Sequence, residues 1–445
     1  MKLLRRITRS ALHTIPDEGR LIKSTMRNLI LKKNLVAGRF MNKFKKVDPS
    51  NKLNIYWIDP TRIEYHSYVE NASTDWEDWI FRDGRELIPV QDGEWDRKIQ
   101  LVSNMRVCRA VKARIQNGSE WKSSEFYKVS LSHIENGRFL WGCHNKKSFD
   151  DRCLYLDRLI ESIQKYGYLS KEDLFKLKNI ESTNNHREVE INISREGYPL
   201  FQDGRHRLAI ALALGLDKIP VQISVRHKEW QLFHEFIQNM ARGSGGASKK
   251  GTLYQDPIHF ELSDIPYSHG CEDRWCKISE YLSSATGYAL DIGCNLGYFC
   301  HKLERLGFSS IGVEYYPDIA YAAEKIAMAE KCEAQILVGD VLSDDLQARI
   351  VDKAYSVILA LNIFHHFIKT KEGYSRTKAL VGKLRAEVLF FEPHLPEESQ
   401  MVGAFCNPTP EEFVSLIKEW GSYGRAIPIY TAADGRTVYM LDRQV

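Results

Sequence analysis

Leu290-Asp-Ile-Gly-Cys-Asn-Leu-Gly-Tyr-Phe299 reads as the end of a strand, a glycine turn and the opening of a helix. Gly293 and Gly297 let the backbone pass close to a ligand with no Cβ in the way. Outward from this stretch, short apolar runs at 288–292, 310–314, 334–338, 356–361 and 388–391 alternate with amphipathic stretches such as 318–330 and 375–384. Strand–helix alternation predicts a parallel sheet covered by helices. The chain end departs from that pattern. Runs 426–430 and 437–441 are strand-like and joined by Thr431-Ala-Ala-Asp-Gly-Arg436, whose Asp-Gly supplies a positive-φ hairpin turn. Glu314 ends the second strand, 21 residues after Gly293. A carboxylate there can accept both hydroxyls of a ribose. Asp291, the two glycines and Glu314 in strand–helix–strand context make one constellation.

The constellation resembles the class I S-adenosylmethionine-dependent methyltransferases, whose first motif is D-x-G-x-x-x-G, and the closing hairpin matches that family's sheet. The similarity covers residues 255–445. It implies a Rossmann-like domain that binds S-adenosylmethionine. Asp291, Gly293 and Gly297 would border the methionine part, with Glu314 on the ribose. Asp340, in Gly339-Asp-Val341, would meet the adenine amino group. Cys294, Asn295 and Asn362 complete the implied cofactor set. After the fourth strand comes Leu361-Asn-Ile-Phe-His-His-Phe-Ile368, where the family's strand end faces the transferred methyl group. His365 or His366 is a candidate base for an acceptor hydroxyl. The same residues also read as a polar strand end in which a His caps a helix or lines a wall. No [DN]-P-P-[YF] tetrapeptide or paired-glutamate loop occurs; Asn407-Pro-Thr-Pro410 does not qualify. A hydroxyl or phosphate on a small molecule or glycan is the expected acceptor.

A second motif lies upstream. A strand-like run at 188–193 and Pro199-Leu-Phe-Gln-Asp203 precede Gly204-Arg-His-Arg-Leu-Ala-Ile-Ala-Leu-Ala-Leu-Gly215, then a strand-like run at 219–225. Arg205, His206 and Arg207 sit at a helix start, where backbone N–H groups and the dipole favour an anion such as phosphate. Residues 186–226 resemble the ParB/sulfiredoxin superfamily, an α+β fold whose turn binds nucleotide phosphates. The resemblance implies ATP (or CTP), with Mg²⁺, held by Gly204, Arg205, His206 and Arg207. Asp203, Asp96 and His227 are candidates for a base or a metal ligand, and each also reads as a surface or helix-cap residue. The sulfiredoxin cysteine is missing, as is a helix-turn-helix after the motif.

Across 445 residues, 43% hydrophobic and 27% charged composition predicts ordinary globular domains, two or three in number. The net +4 is uneven. Residues 1–46 hold thirteen Lys/Arg against two acids, a net +11, leaving 49 bases and 56 acids (−7) for the rest. Apolar residues near helical spacing make this basic amphipathic arm a candidate for an anionic membrane surface. It also reads as a solvated helix on its own body. Nine irregularly spaced cysteines argue against a disulfide framework. With no apolar leader, a cytoplasmic protein is expected, peripheral at the inner membrane face where the arm binds lipid. The Gly/Ser/Lys run at 241–254 reads as a flexible linker between a domain at 47–240 and one at 255–445, which predicts halves that bind their ligands independently. The leading reading is a bifunctional enzyme, a methyltransferase joined to a kinase-like domain. It is similar in plan to enzymes that phosphorylate and methylate the end of a surface polysaccharide, whose kinase part has a different fold. The alternative is a nucleotide-gated nucleic-acid-binding or regulatory protein; the acidic body opposes nucleic acid.

Overall fold

The computed structural model describes residues 55–67, 90–97, 99–169, 188–243, 251–282 and 286–443. The basic arm, residues 47–54, 68–89 and 170–187, and residues 244–250 of the linker lie outside the described residues.

The N-terminal half runs β1 (Ile55–Ile58), β2 (Tyr65–Ser67), β3 (Val90–Gln91), β4 (Ile99–Leu101), α1 (Arg106–Asn117), α2 (Glu125–Glu135), α3 (Lys146–Tyr166), β5 (Val189–Ile193), β6 (Pro199–Asp203), α4 (Arg205–Leu214), β7 (Ile219–His227) and α5 (Lys228–Arg242). Its sheet has the order β1-β7-β5-β6-β2-β4, with β3 beside β7. β5 pairs parallel to β7 and antiparallel to β6, so the sheet is mixed. All five residues of β5 are buried, as a central strand requires.

The C-terminal half opens with a two-stranded parallel ribbon, β8 (Leu253–Gln255) and β9 (Tyr267–His269), and α6 (Glu272–Ser279). Then follow β10 (Tyr288–Ile292), α7 (Tyr298–Arg305), β11 (Ser309–Glu314), α8 (Pro317–Ala329), β12 (Gln335–Val338), α9 (Asp344–Ile350), β13 (Ala354–Leu361), α10 (Lys371–Lys383), β14 (Arg385–Glu392), α11 (Pro410–Gly421), β15 (Arg425–Thr431) and β16 (Thr437–Asp442). The order is β12-β11-β10-β13-β14-β16-β15. The first five strands are parallel and the last two pair antiparallel, closing the sheet with the expected hairpin. The central strands are buried on both faces, and so read as continuous apolar runs in the sequence. Helix starts follow local chemistry: Pro317 at the first turn of α8, and Pro410 inside a Thr409–Glu412 capping box on α11.

The linker expectation is corrected in extent and consequence. Ala241 and Arg242 belong to α5, and Leu253 and Tyr254 to β8; residues 244–250 of the expected linker lie outside the described residues. The halves are not independent. Trp230, Phe233 and Ile237 of α5 share one apolar core with Ala322, Ile326 and Ala329 of α8. Phe233 and Phe236 both meet Tyr321 edge-on. Two buried carboxylates cross the seam. Glu330 binds Arg62 at 2.5 Å and Arg305 at 3.3 Å. Glu261 accepts from Arg226 and from the indole N–H of Trp230. Gly197, at φ 95°, turns β5 into β6 at this seam. A Cβ there would stand 2.5 Å from the Trp230 ring and 2.7 Å from Ala329, so glycine is required for close approach.

Candidate functional site

A cleft of about 850 Å³ opens at the C-terminal ends of β10–β13. Here the crossovers leave β10 in opposite directions, the position at which doubly wound sheets bind ligands. Gly293, at φ 80°, forms the turn after β10; a Cβ would lie 2.8 Å from Ile363 on the opposite wall. Gly297, at φ 77°, caps α7. Glu314 is 5% exposed and lies beneath that turn. Its Oε2 accepts the Asn295 N–H at 3.0 Å and its Oε1 the Tyr316 N–H at 2.9 Å. Burial raises its pKa against those bonds. Each oxygen keeps a second lone pair for a ligand hydroxyl. Asp340 lines the same cleft past β12, its Oδ1 held by the Leu342 N–H at 2.9 Å.

Asp291 faces a side cavity of about 40 Å³ that shares Tyr254, His269, Gly293, Asn362 and Arg436 with the cleft. Burial pushes its carboxyl up to about 7; the Cys300 thiol opposes this and the Glu314 charge adds to it. Cys294 behaves differently. Its side chain is fully buried and packs with Cys300 over Gly312 on the far side of the turn. Only its backbone belongs to the loop.

The acceptor end carries the histidine pair, and the structure separates the two. His366 lines the cleft. His365 is 1% exposed, sits behind it with ring centroids 4.0 Å apart, and faces His394 at 5.4 Å. Burial lowers His365 to about 2; His366, lowered by burial and then by Lys369, falls to about 4. His366 is thus neutral at pH 7, and the lowered value makes it a weak base. Buried His259 and His301 are likewise lowered to about 3. A depressed histidine contributes stability that is present above its unfolded value of 6.5 and is lost as pH falls toward the folded value. The urea midpoint should therefore drop between pH 6.5 and 4, offset in part by Asp291 and Glu314, whose raised carboxyls gain stability as pH falls; a midpoint that rises steadily on acidification would refute neutral histidines in the fold.

Sequence reading missed the roof of the site. Gln255 of β8 accepts the Leu296 N–H at 3.2 Å, fixing the ribbon over the glycine turn. Tyr254 stacks on His269 at 4.3 Å, and the Asn362 Nδ2 donates to its hydroxyl at 3.0 Å. Three-residue strands leave no periodic signal. Arg436 reaches the cleft from the hairpin turn that the sequence did reveal.

The upstream candidates are only partly brought together. Arg205, His206 and Arg207 are all buried rather than outward-facing. Arg207 contacts Glu188 and the Tyr168 hydroxyl, each at 3.5 Å. Arg205 lies over the Trp141 ring, which also meets His206 edge-on. Gly204, at φ 90°, starts α4 without a side-chain cap, and Asp203 accepts the Gly204 N–H at 2.6 Å. His227 is elsewhere. Asp203 pairs with Glu190 at one end of β5 and Arg226 with Ile193 at the other, about 10 Å along the strand. His227 caps α5, with Nδ1 accepting the Glu229 N–H and Nε2 bonded to the Gly93 carbonyl. Asp96 is engaged by Arg195 at 2.7 Å. Among the described residues, no group of three or more His, Cys, Asp or Glu is placed to hold a metal ion, and no helix is long and apolar enough to cross a membrane.

No family profile matches the chain, and neither does any curated protein. Among solved structures it is similar to WbdD, a bifunctional kinase-methyltransferase. The identity is 18%, over 43% of this chain and 45% of that one, with a TM-score of 0.37. The N-terminal domain of EvdMO1 with SAH bound is 14% identical over 47% of this chain and 97% of its own, TM-score 0.34. The methyltransferase domain of bacterial CtHen1-CN is 13% identical over 35% and 89%, TM-score 0.27. The chain spans under half the length of the WbdD chain it matches.

Proposed function

We propose that the C-terminal half transfers a methyl group from S-adenosylmethionine. The observation that carries this reading is Glu314, buried at the mouth of the glycine turn with each oxygen oriented by one backbone N–H and opening onto a cleft that Asp340 also lines. The donor set fits the group: a carboxylate for the ribose hydroxyls, a second for an adenine amino group, and a glycine wall too close to Ile363 for any side chain. When bound, the cofactor supplies an electrophilic methyl on a sulfonium. The chain's own part is to hold the ribose with Glu314, to shape the methionine end around Asp291, and to take the acceptor proton at His366. The test is calorimetry of the full chain with S-adenosylmethionine; absence of binding at millimolar ligand ends this reading.

A second activity is supported by one observation in the N-terminal half. Arg152 of α3 joins Arg205 and Arg207 near the uncapped start of α4; burial lowers Arg152, and the Arg207 charge adds to that. Cations gathered there suit an anion. The reading is a ParB/sulfiredoxin-like domain that binds ATP or CTP with Mg²⁺ and transfers phosphate. ATP with Mg²⁺ should raise the melting temperature of the full chain, and Arg152→Ala should abolish the rise. A glycan acceptor and membrane attachment through residues 1–46 belong to the same proposal.

A further inference from the structure

We propose that Gln255 is a positioning residue for the cofactor turn, carried by a strap that the N-terminal half anchors. The inference rests on the methyl-transfer reading of this cleft and adds what keeps its glycine turn in shape. Every backbone N–H of that turn has an acceptor. Gly293 and Cys294 donate to the Val313 carbonyl at 2.8 and 3.0 Å, Asn295 to Glu314 Oε2 at 3.0 Å, Leu296 to Gln255 Oε1 at 3.2 Å and Gly297 to the Cys294 carbonyl at 2.9 Å. Of these acceptors, Gln255 alone stands outside the strand–turn–helix–strand unit, 41 residues before Leu296. Its partner is a backbone donor, so the amide must present its oxygen and not its nitrogen. Both groups are buried. An apolar side chain of the same size would leave the Leu296 N–H without an acceptor, a cost the turn can relieve by moving.

The strap is the chain from β8 to β9. Its two strands roof the cleft, where Tyr254 and His269 line the wall. The segment between them is embedded in the N-terminal half. Phe260 meets Tyr56 of β1 edge-on at 5.6 Å, and His259 packs against Trp230 at 4.8 Å with its Nε2 bonded to the Gly197 carbonyl at 3.1 Å. Glu261 accepts from Arg226 and Trp230. Leu253, Leu262 and Ile265 are buried in the same apolar core, which also takes the side chain of Leu296. Turn and acceptor are thus clamped against one body, and the N-terminal half reaches the cofactor turn through the Gln255 bond. A turn held in its final shape costs the cofactor nothing to order. A turn that samples other shapes binds with an affinity reduced by the fraction that is competent.

The experiment compares full-length wild type, Gln255→Leu and Gln255→Glu by two readouts. Hydrogen exchange follows a peptide spanning Gly293 to Gly297 in the unliganded protein, with a β14 peptide as internal control. Calorimetry follows S-adenosylhomocysteine binding, well below the melting temperature of the least stable variant. Gln255→Leu should speed exchange in the turn about tenfold with β14 unchanged, and weaken product binding by about tenfold. Gln255→Glu keeps the acceptor oxygen, loses the amide donor, and should stay within about threefold of wild type in both readouts. A Gln255 that only pins the roof would lower the melting temperature of Gln255→Leu and leave turn exchange and affinity as in wild type, which overturns the proposal. So do equal effects in the two variants, because the shared loss is then the amide donor, a contact with the cofactor itself. Gln255→Met replaces the leucine variant if that one does not fold. Failure of the wild type to bind the product sinks the methyl-transfer reading instead, while turn exchange still decides the role of Gln255.

Discussion

Glu261→Ala should destabilise the whole protein by about 1–3 kcal/mol, the cost of leaving the buried Trp230 N–H without an acceptor, with a further contribution from Arg226, whose side chain is partly exposed. Glu261 is fully buried and accepts from both Arg226 and the Trp230 indole, so its removal strands a guanidinium and an N–H at once. Trp230 is itself fully buried against the shared core. Against a total stability of about 5–15 kcal/mol, such a loss is large. Urea unfolding followed by tryptophan fluorescence reads it directly. Glu261→Gln keeps an acceptor for Trp230 and should cost less. A change under about 0.5 kcal/mol in Glu261→Ala would mean that the seam is not an energetic interface. The seam also dictates the material for every ligand experiment: residues 252–445 expressed alone would expose this carboxylate and the apolar face of α8, so the full chain is the object to study.

Glu314→Ala should weaken S-adenosylmethionine binding by about 1.5–3 kcal/mol, roughly ten- to a hundredfold, the scale of a hydrogen bond to a charged group. The alanine also releases the Asn295 and Tyr316 N–H groups that orient the carboxylate. Glu314→Gln separates the two effects. It retains one oxygen acceptor at the same length and should fall between wild type and alanine. Melting temperatures of the unliganded variants show whether the glycine turn has survived. Unchanged affinity in a folded Glu314→Ala protein would mean that the ribose lies elsewhere.

The sequence by itself carried the C-terminal architecture. Strands buried on both faces are mostly apolar, so β10, β11 and β13 stood out, β12 and β14 showed as shorter apolar runs, and Asp434-Gly435 marked the closing hairpin. The positive-φ turns at Gly293 and Gly297 and the place of Glu314 at a strand end were legible because they follow from backbone geometry within one strand–turn–helix–strand unit. The segment from β5 to β7 was legible for the same reason. Tertiary structure decided what depends on partners far along the chain. His227 reads in the sequence as a base, a metal ligand or a helix cap, and the fold makes it a cap; Arg205, His206 and Arg207 look outward-facing and turn in among aromatic rings. His365 and His366 are adjacent in sequence, yet a short helical turn buries one and leaves the other on the cleft wall. Glu261, Glu330 and Tyr254 carry no local signal, because nothing in the residues around them specifies what will cover them. Arg62 and Glu330 meet across 268 residues. Periodicity and turn chemistry act over a few residues, whereas burial of a charge or a ring is set only when distant segments close over it.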